Sequence, residues 1–137
     1  MADTVRRVEY YYLTIPDTPG EGERALATLR DGDVDLYAFL AFPTGDGRSQ
    51  LDLVPKDPAM FAAVAARAGF TLSGAKHAFL VQGDDRIGAA EATTAKLAAA
   101  GVNVTAATGV GDGSGRFGMI LWVTAVDYER AAGALGV

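Results

Sequence analysis

The chain has no cysteine, one histidine and one tryptophan among its 137 residues. Without cysteine there is no disulfide scaffold, no thiolate nucleophile and no cysteine-bound metal. The lone His77 has no Cys, Ser or His partner in its surroundings, so it reads as an edge or surface residue rather than a catalyst. Basic residues are scarce as well: 12 Lys and Arg stand against 17 Asp and Glu, for a formal charge of -5 and a pI near 4.7. Phosphate recognition needs clustered Lys and Arg, and no basic run occurs, so a nucleic-acid partner is excluded. No apolar stretch approaches the roughly 20 residues of a membrane span, and Met1–Arg7 is not followed by a small-residue cleavage pattern. No membrane partner is expected, and the cytoplasm is the default location. What the chain does have is 50% hydrophobic residues with 21% charged, enough to bury a core.

It also has a repeat. A shift of 68 residues lays Asp17–Pro55 over Asp85–Val123 without a gap, with 11 identities in 39 positions. They include Asp17/Asp85, Gly20/Gly88, Glu23/Glu91, Leu29/Leu97, Val34/Val102, Gly45/Gly113, Gly47/Gly115 and Arg48/Arg116. A fixed internal period sets the architecture that every later motif has to fit. In the first copy Val8–Ile15 reads as a strand, about Glu23–Arg30 as a helix, Val34–Phe42 and Ser49–Pro55 as strands joined by a glycine turn, and the stretch from Pro58 to Gly69 as a second helix. The second copy follows with Lys76–Gln82, a helix over Ile87–Ala99, Val102–Gly109, a glycine-rich hairpin, Phe117–Ala125 and a last helix bearing Tyr128, Ala131, Ala132 and Leu135. The fold class is therefore α+β, a ferredoxin-like βαββαβ pattern repeated twice, with antiparallel sheets carrying helices on one face. The domains expected are 1–74 and 75–137, with the closing strand of the second supplied by residues 3–7. The motive is that no sixth element follows the last helix, while Asp3–Arg7 aligns with Thr71–Ala75 under the same shift.

Both copies resemble ACT domains, small ligand-sensing modules of amino-acid-metabolism enzymes. The resemblance rests on Asp84-Asp85-Arg86-Ile87-Gly88 and Leu97-Ala98-Ala99-Ala100-Gly101-Val102-Asn103-Val104 in the second copy, and on Asp17-Thr18-Pro19-Gly20 in the first, which departs later at Gly32-Asp33-Val34-Asp35. It implies pairing of domains through their sheets and an effector site at the pairing interface, with a polar side chain at the start of the second strand, here Asn103 or Asp35. A tight turn opening a helix offers free N–H groups and the positive dipole end, which suits a ligand carboxylate at Gly20 or Gly88. The ligand-binding candidates are Asp17, Gly20, Asp35, Asp85, Gly88 and Asn103, and the preferred site joins Asp17 and Gly20 with Asn103. The Asp84–Gly88 site facing Asp35 is crowded with carboxylates and disfavoured.

Structural readings stand beside these. Asp17 and Asp85 are good helix N-caps. Arg48 and Arg116 read as solvated charges flanking turns. The Asp31, Asp33, Asp35 string lacks the later ligands of a calcium loop, so neither metal nor cofactor is expected. Gly109–Gly118 lacks the phosphate-loop lysine and joins two strands, as a hairpin does. Phe117, Met119, Leu121 and Val123 alternate with Ile120 and Trp122, so both faces of that strand are apolar and need a cover, either the sister copy or another chain, and a homodimer through sheet faces or edges is the assembly expected. The resulting reading is a non-catalytic regulatory protein that senses a small amino acid or similar carboxylate. The alternatives are a partner-binding module without a small ligand, and a small enzyme on a ferredoxin-like scaffold.

Overall fold

The computed structural model describes residues 3–137. The elements in chain order are β1 (Thr4–Pro16), α1 (Glu21–Asp31), β2 (Leu36–Pro43), β3 (Arg48–Pro55), α2 (Pro58–Arg67), β4 (Lys76–Asp84), α3 (Ala89–Ala99), β5 (Ala106–Gly111), β6 (Arg116–Trp122), a 3-10 turn (Ala125–Asp127) and α4 (Tyr128–Leu135). Among the described residues this is an α+β, ferredoxin-like arrangement of six strands and four helices. Local chemistry sets most boundaries. Asp57 caps α2 by accepting from the Met60 N–H at 3.1 Å, with Pro58 in the first turn, where its missing donor costs nothing. β5 starts at Ala106 rather than Val102, because Val102 still donates back to the Leu97 carbonyl at 2.9 Å and closes the end of α3.

The expected aspartate N-caps are not there. Gly20 and Gly88 occupy the N-cap positions of α1 and α3 at φ 90° and 82°, and neither helix start receives a side-chain cap. Only a residue without Cβ enters that left-handed region at little cost, so the glycine three positions on, and not the aspartate, turns the chain into each helix. Asp33 adopts the same region at φ 59° at the end of α1, where its repeat counterpart Gly101 stands at φ 71°. An aspartate tolerates this conformation, and that accounts for its place in the acidic string. Among the described residues no group of three or more His, Cys, Asp or Glu is placed to hold a metal ion.

The chain divides into two compact units, one of Glu9–Lys76 and one of His77–Val137 together with the residues up to Val8. In the first the strand order is β2-β3-β1, antiparallel, with Leu13 opposite Leu51 and Tyr11 opposite Leu53. Those side chains meet Ala25 and Leu29 of α1 and Phe61 and Val64 of α2 in one core, which Phe70 and Leu72 flank. The segment after α2 lies against β1, where Ser73 N–H donates to the Tyr12 carbonyl and Tyr12 N–H to Ser73 Oγ, both at 2.9 Å. The second unit has the order β4-β6-β5, antiparallel, with Phe79 opposite Leu121 and Val81 opposite Met119. Its core joins these to Leu97 of α3 and to Ala131, Ala132 and Leu135 of α4.

The first residues of β1 belong to this second unit. They lie beside β4, and Val5 packs on the core. Arg7 grips both carboxylate oxygens of Glu129, at 2.9 and 3.1 Å. Turn hydrogen bonds recur at the repeat spacing, Asp17 N–H to Gly47 O and Asp85 N–H to Gly115 O both at 2.9 Å. Residues of the opposite strand faces, Leu80, Ile120 and Trp122 in one unit and Val54 in the other, are buried too. So is Asp52, whose carboxyl is pushed above its ordinary value by burial, against the opposing pull of the Gln50 amide.

Candidate functional site

Between the Asp85–Gly88 turn, the first turn of α3 and the edge strand β5 lies an open cleft of about 340 Å³, wholly within the unit that contains residues 77–137. β4 delivers the turn, and Asp85 N–H ties it to the hairpin through Gly115 O. The positive φ of Gly88 then swings the chain into α3, so Gly88, Ala89 and Ala90 form one wall. The floor is Phe117 and Met119 of β6. Both are nearly buried in the core, and they border the cleft where their register partners on β5, Gly111 and Gly109, have no side chains. A Cβ at position 111 would stand 3.2 Å from Asp85 Oδ2, tight enough to displace the carboxylate.

Three charged side chains line the cleft: Asp85, Arg86 and Glu91. Arg86 is engaged elsewhere, donating to both oxygens of Asp3 at 3.0 Å and to the Asp84 carbonyl at 2.9 Å. This hydrogen-bonded pairing holds the Asp3 carboxyl below its ordinary value and raises Arg86. Asp85, exposed, takes part in no side-chain hydrogen bond or ion pair among the described residues. The site thus combines the positive end of a helix without a side-chain cap, one open carboxylate, a second carboxylate in the first turn and an apolar floor. A carboxylate is stabilised by the helix N–H groups and an ammonium by Asp85.

The sequence-derived candidates distribute unevenly. Asp85 and Gly88 share this cleft. Asp17 and Gly20 form the corresponding turn of the other unit, but there Asp17 Oδ1 accepts from the Ser49 hydroxyl at 2.9 Å. Position 49 corresponds to Phe117, which has no hydroxyl to offer Asp85. The counterparts of Gly109 and Gly111 are Ala41 and Pro43, so the edge strand of that unit carries side chains where β5 carries none. Asp35 is held by Lys56 at 2.7 Å and by Leu36 N–H at 2.9 Å, and the Lys56 hydrogen bond lowers its carboxyl pKa. Asn103 is exposed in the segment before β5 and does not line the cleft. Glu91, Phe117, Met119 and the two β5 glycines were not singled out as site residues from sequence. The signal was present, since two alternate glycines on an edge strand uncover whatever lies opposite them.

Arg48 and Arg116 are not simply solvated. Arg48 donates to Thr14 O at 3.0 Å and Arg116 to Asp84 Oδ1 at 2.8 Å. No helix among the described residues is long and apolar enough to cross a membrane.

No family model matches the chain, and no curated protein does. Solved structures do. A protein from Bacteroides thetaiotaomicron superposes with a TM-score of 0.80 at 13% identity, over 96% of this chain and 88% of that one. The ligand-free regulatory subunit of aspartate kinase from Thermus thermophilus gives 0.65 at 17%, over 98% and 94%. The regulatory subunit of aspartate kinase from Thermus flavus gives 0.58 at 19%, again over 98% and 94%. At these identities the likeness is one of fold: nearly the whole chain is built as those regulatory subunits are.

Proposed function

We propose that this protein is a non-catalytic sensor of the tandem ACT type, whose cleft at Asp85–Gly88 binds a small α-amino acid. The observation that carries the reading is the open Asp85 carboxylate sharing one cleft with the uncapped start of α3. The helix N–H groups hold the ligand carboxylate, Asp85 takes the ammonium, and Phe117 and Met119 receive the side chain. Asp85 and Glu91 together disfavour an acidic side chain, so the ligand is a neutral, apolar amino acid. The superposition on regulatory subunits supports a regulatory role, and the absence of cysteine and of a second histidine from the sequence supports the absence of catalysis. The turn at Asp17–Gly20 is the weaker position for the same ligand, because Ser49 already satisfies Asp17.

Self-association through the edge strand β2 accompanies this reading, since Phe39 and Phe42 are exposed there at 52% and 40%. A thermal-shift panel of the twenty amino acids tests the function: a ligand that binds only the folded chain raises its melting temperature. Stabilisation by apolar amino acids and not by glutamate is expected, whereas no shift with any of the twenty at millimolar concentration leaves the partner-binding module as the reading. Light scattering tests the assembly, with a Phe39→Ser, Phe42→Ser variant expected to be monomeric.

A further inference from the structure

Resting on the binding reading above, the geometry points to Asp3 as a positioning residue that sets the ligand preference of the cleft by withholding Arg86 from it. Asp3 and Arg86 are 83 residues apart, yet their fork is bidentate, both contacts measuring 3.0 Å. The Asp3 side chain is only 13% exposed. It occupies the space beside Gly83, where any Cβ would collide with its carboxylate and would come 3.2 Å from the Phe117 ring. The Arg86 guanidinium in turn lies 5.9 Å from the centre of the Phe117 ring. Asp3, Gly83, Arg86 and Phe117 are therefore one packed group, and two of its members, Arg86 and Phe117, line the cleft.

The chemistry follows from charge. With Arg86 neutralised from behind, the charges left facing a ligand are Asp85 and Glu91, and a neutral zwitterion is favoured over a dicarboxylate. Released, Arg86 is a long cation beside that cleft. It pairs with Asp85 in competition with the ligand ammonium, or donates to a second ligand carboxylate in a bidentate fork. Losing Asp3 thus shifts a preference rather than merely loosening a loop.

The test compares the full chain with Asp3→Asn, Asp3→Glu, Arg86→Gln and the Asp3→Asn, Arg86→Gln double variant. Titration calorimetry with L-leucine and with L-glutamate gives the ratio of the two dissociation constants, and amide exchange over residues 85–91 gives the order of the turn. Asp3→Asn is expected to shift the ratio toward L-glutamate by about twofold to fivefold, the range of a half-exposed ion pair. Its turn exchanges faster, Arg86→Gln on top of it removes the shift, and Asp3→Glu, which keeps the charge, stays nearer the parent chain. An unchanged ratio, or a shift that persists without Arg86, overturns the assignment. If the parent chain binds neither amino acid, the sensor reading fails and exchange alone decides this one: a faster turn in Asp3→Asn supports the clamp, an unchanged turn overturns it. Should Asp3→Asn not fold, Arg86→Lys, which keeps the charge and loses the fork, is read in the same way.

Discussion

Gly109→Val separates the site from the fold, because the two respond with opposite signs. Gly109 sits on the edge strand β5 opposite Met119, and a Cβ there meets nothing nearer than Gly118 O at 3.7 Å and Met119 Cβ at 3.8 Å, ordinary contact distances. Its φ lies outside the left-handed region, so the backbone accepts any side chain. Glycine inside a strand costs roughly 0.5–1 kcal/mol relative to alanine, and valine adds strand propensity, so the variant gains about 1 kcal/mol, a few degrees of melting temperature. The new side chain also projects over Met119 into the cleft and takes the space of the ligand. In the parent chain a ligand at a hundred times its Kd adds about 2.7 kcal/mol, on the order of 10 °C. Melting curves with and without saturating L-leucine therefore give a clear pattern: the variant starts higher and gains nothing from the ligand. A variant that starts higher and keeps its full ligand shift would show that the ligand does not lie over Met119, and the cleft reading would fail.

Asp85→Asn should weaken amino-acid binding by about 1–3 kcal/mol in calorimetry, because the ligand ammonium loses its charged acceptor. The melting temperature of the free protein should stay unchanged, since among the described residues no side chain or backbone group is hydrogen-bonded or ion-paired to that carboxylate. Asp52→Asn should raise stability in denaturant titrations at pH 7. The folded chain holds this carboxyl above its unfolded value of 3.8, so ionisation opposes folding at higher pH, and the advantage should vanish as the pH falls below 3.8, where the carboxyl is protonated in both states.

Much of the architecture was legible in one dimension. The 68-residue shift, the turn glycines and the alternation along Phe117–Val123 give the element order and the ferredoxin-like class, because backbone conformation at a glycine and the side-chain period of a strand are local properties. The helix starts were misread for a related reason. An aspartate near a helix start suggests a cap, yet the left-handed Gly20 and Gly88 place Asp17 and Asp85 ahead of the N-cap, and φ cannot be read from residue type. The candidate cleft was half legible, although the sequence reading preferred Asp17 and Gly20 with Asn103 and disfavoured the Asp84–Gly88 position. Asp85 and Gly88 stood out by repetition, but the residues that make their turn a cleft did so by differing from their counterparts, Phe117 from Ser49 and Gly109 and Gly111 from Ala41 and Pro43. By itself, then, the sequence determined the repeat, the strand and helix faces and the turn glycines, all of them consequences of neighbours along the chain. Only the tertiary structure decided that Asp3 holds Arg86, that Ser49 occupies Asp17 and that Asp85 is left open. Those outcomes depend on strands brought together across dozens of residues, a distance over which local propensity carries no information.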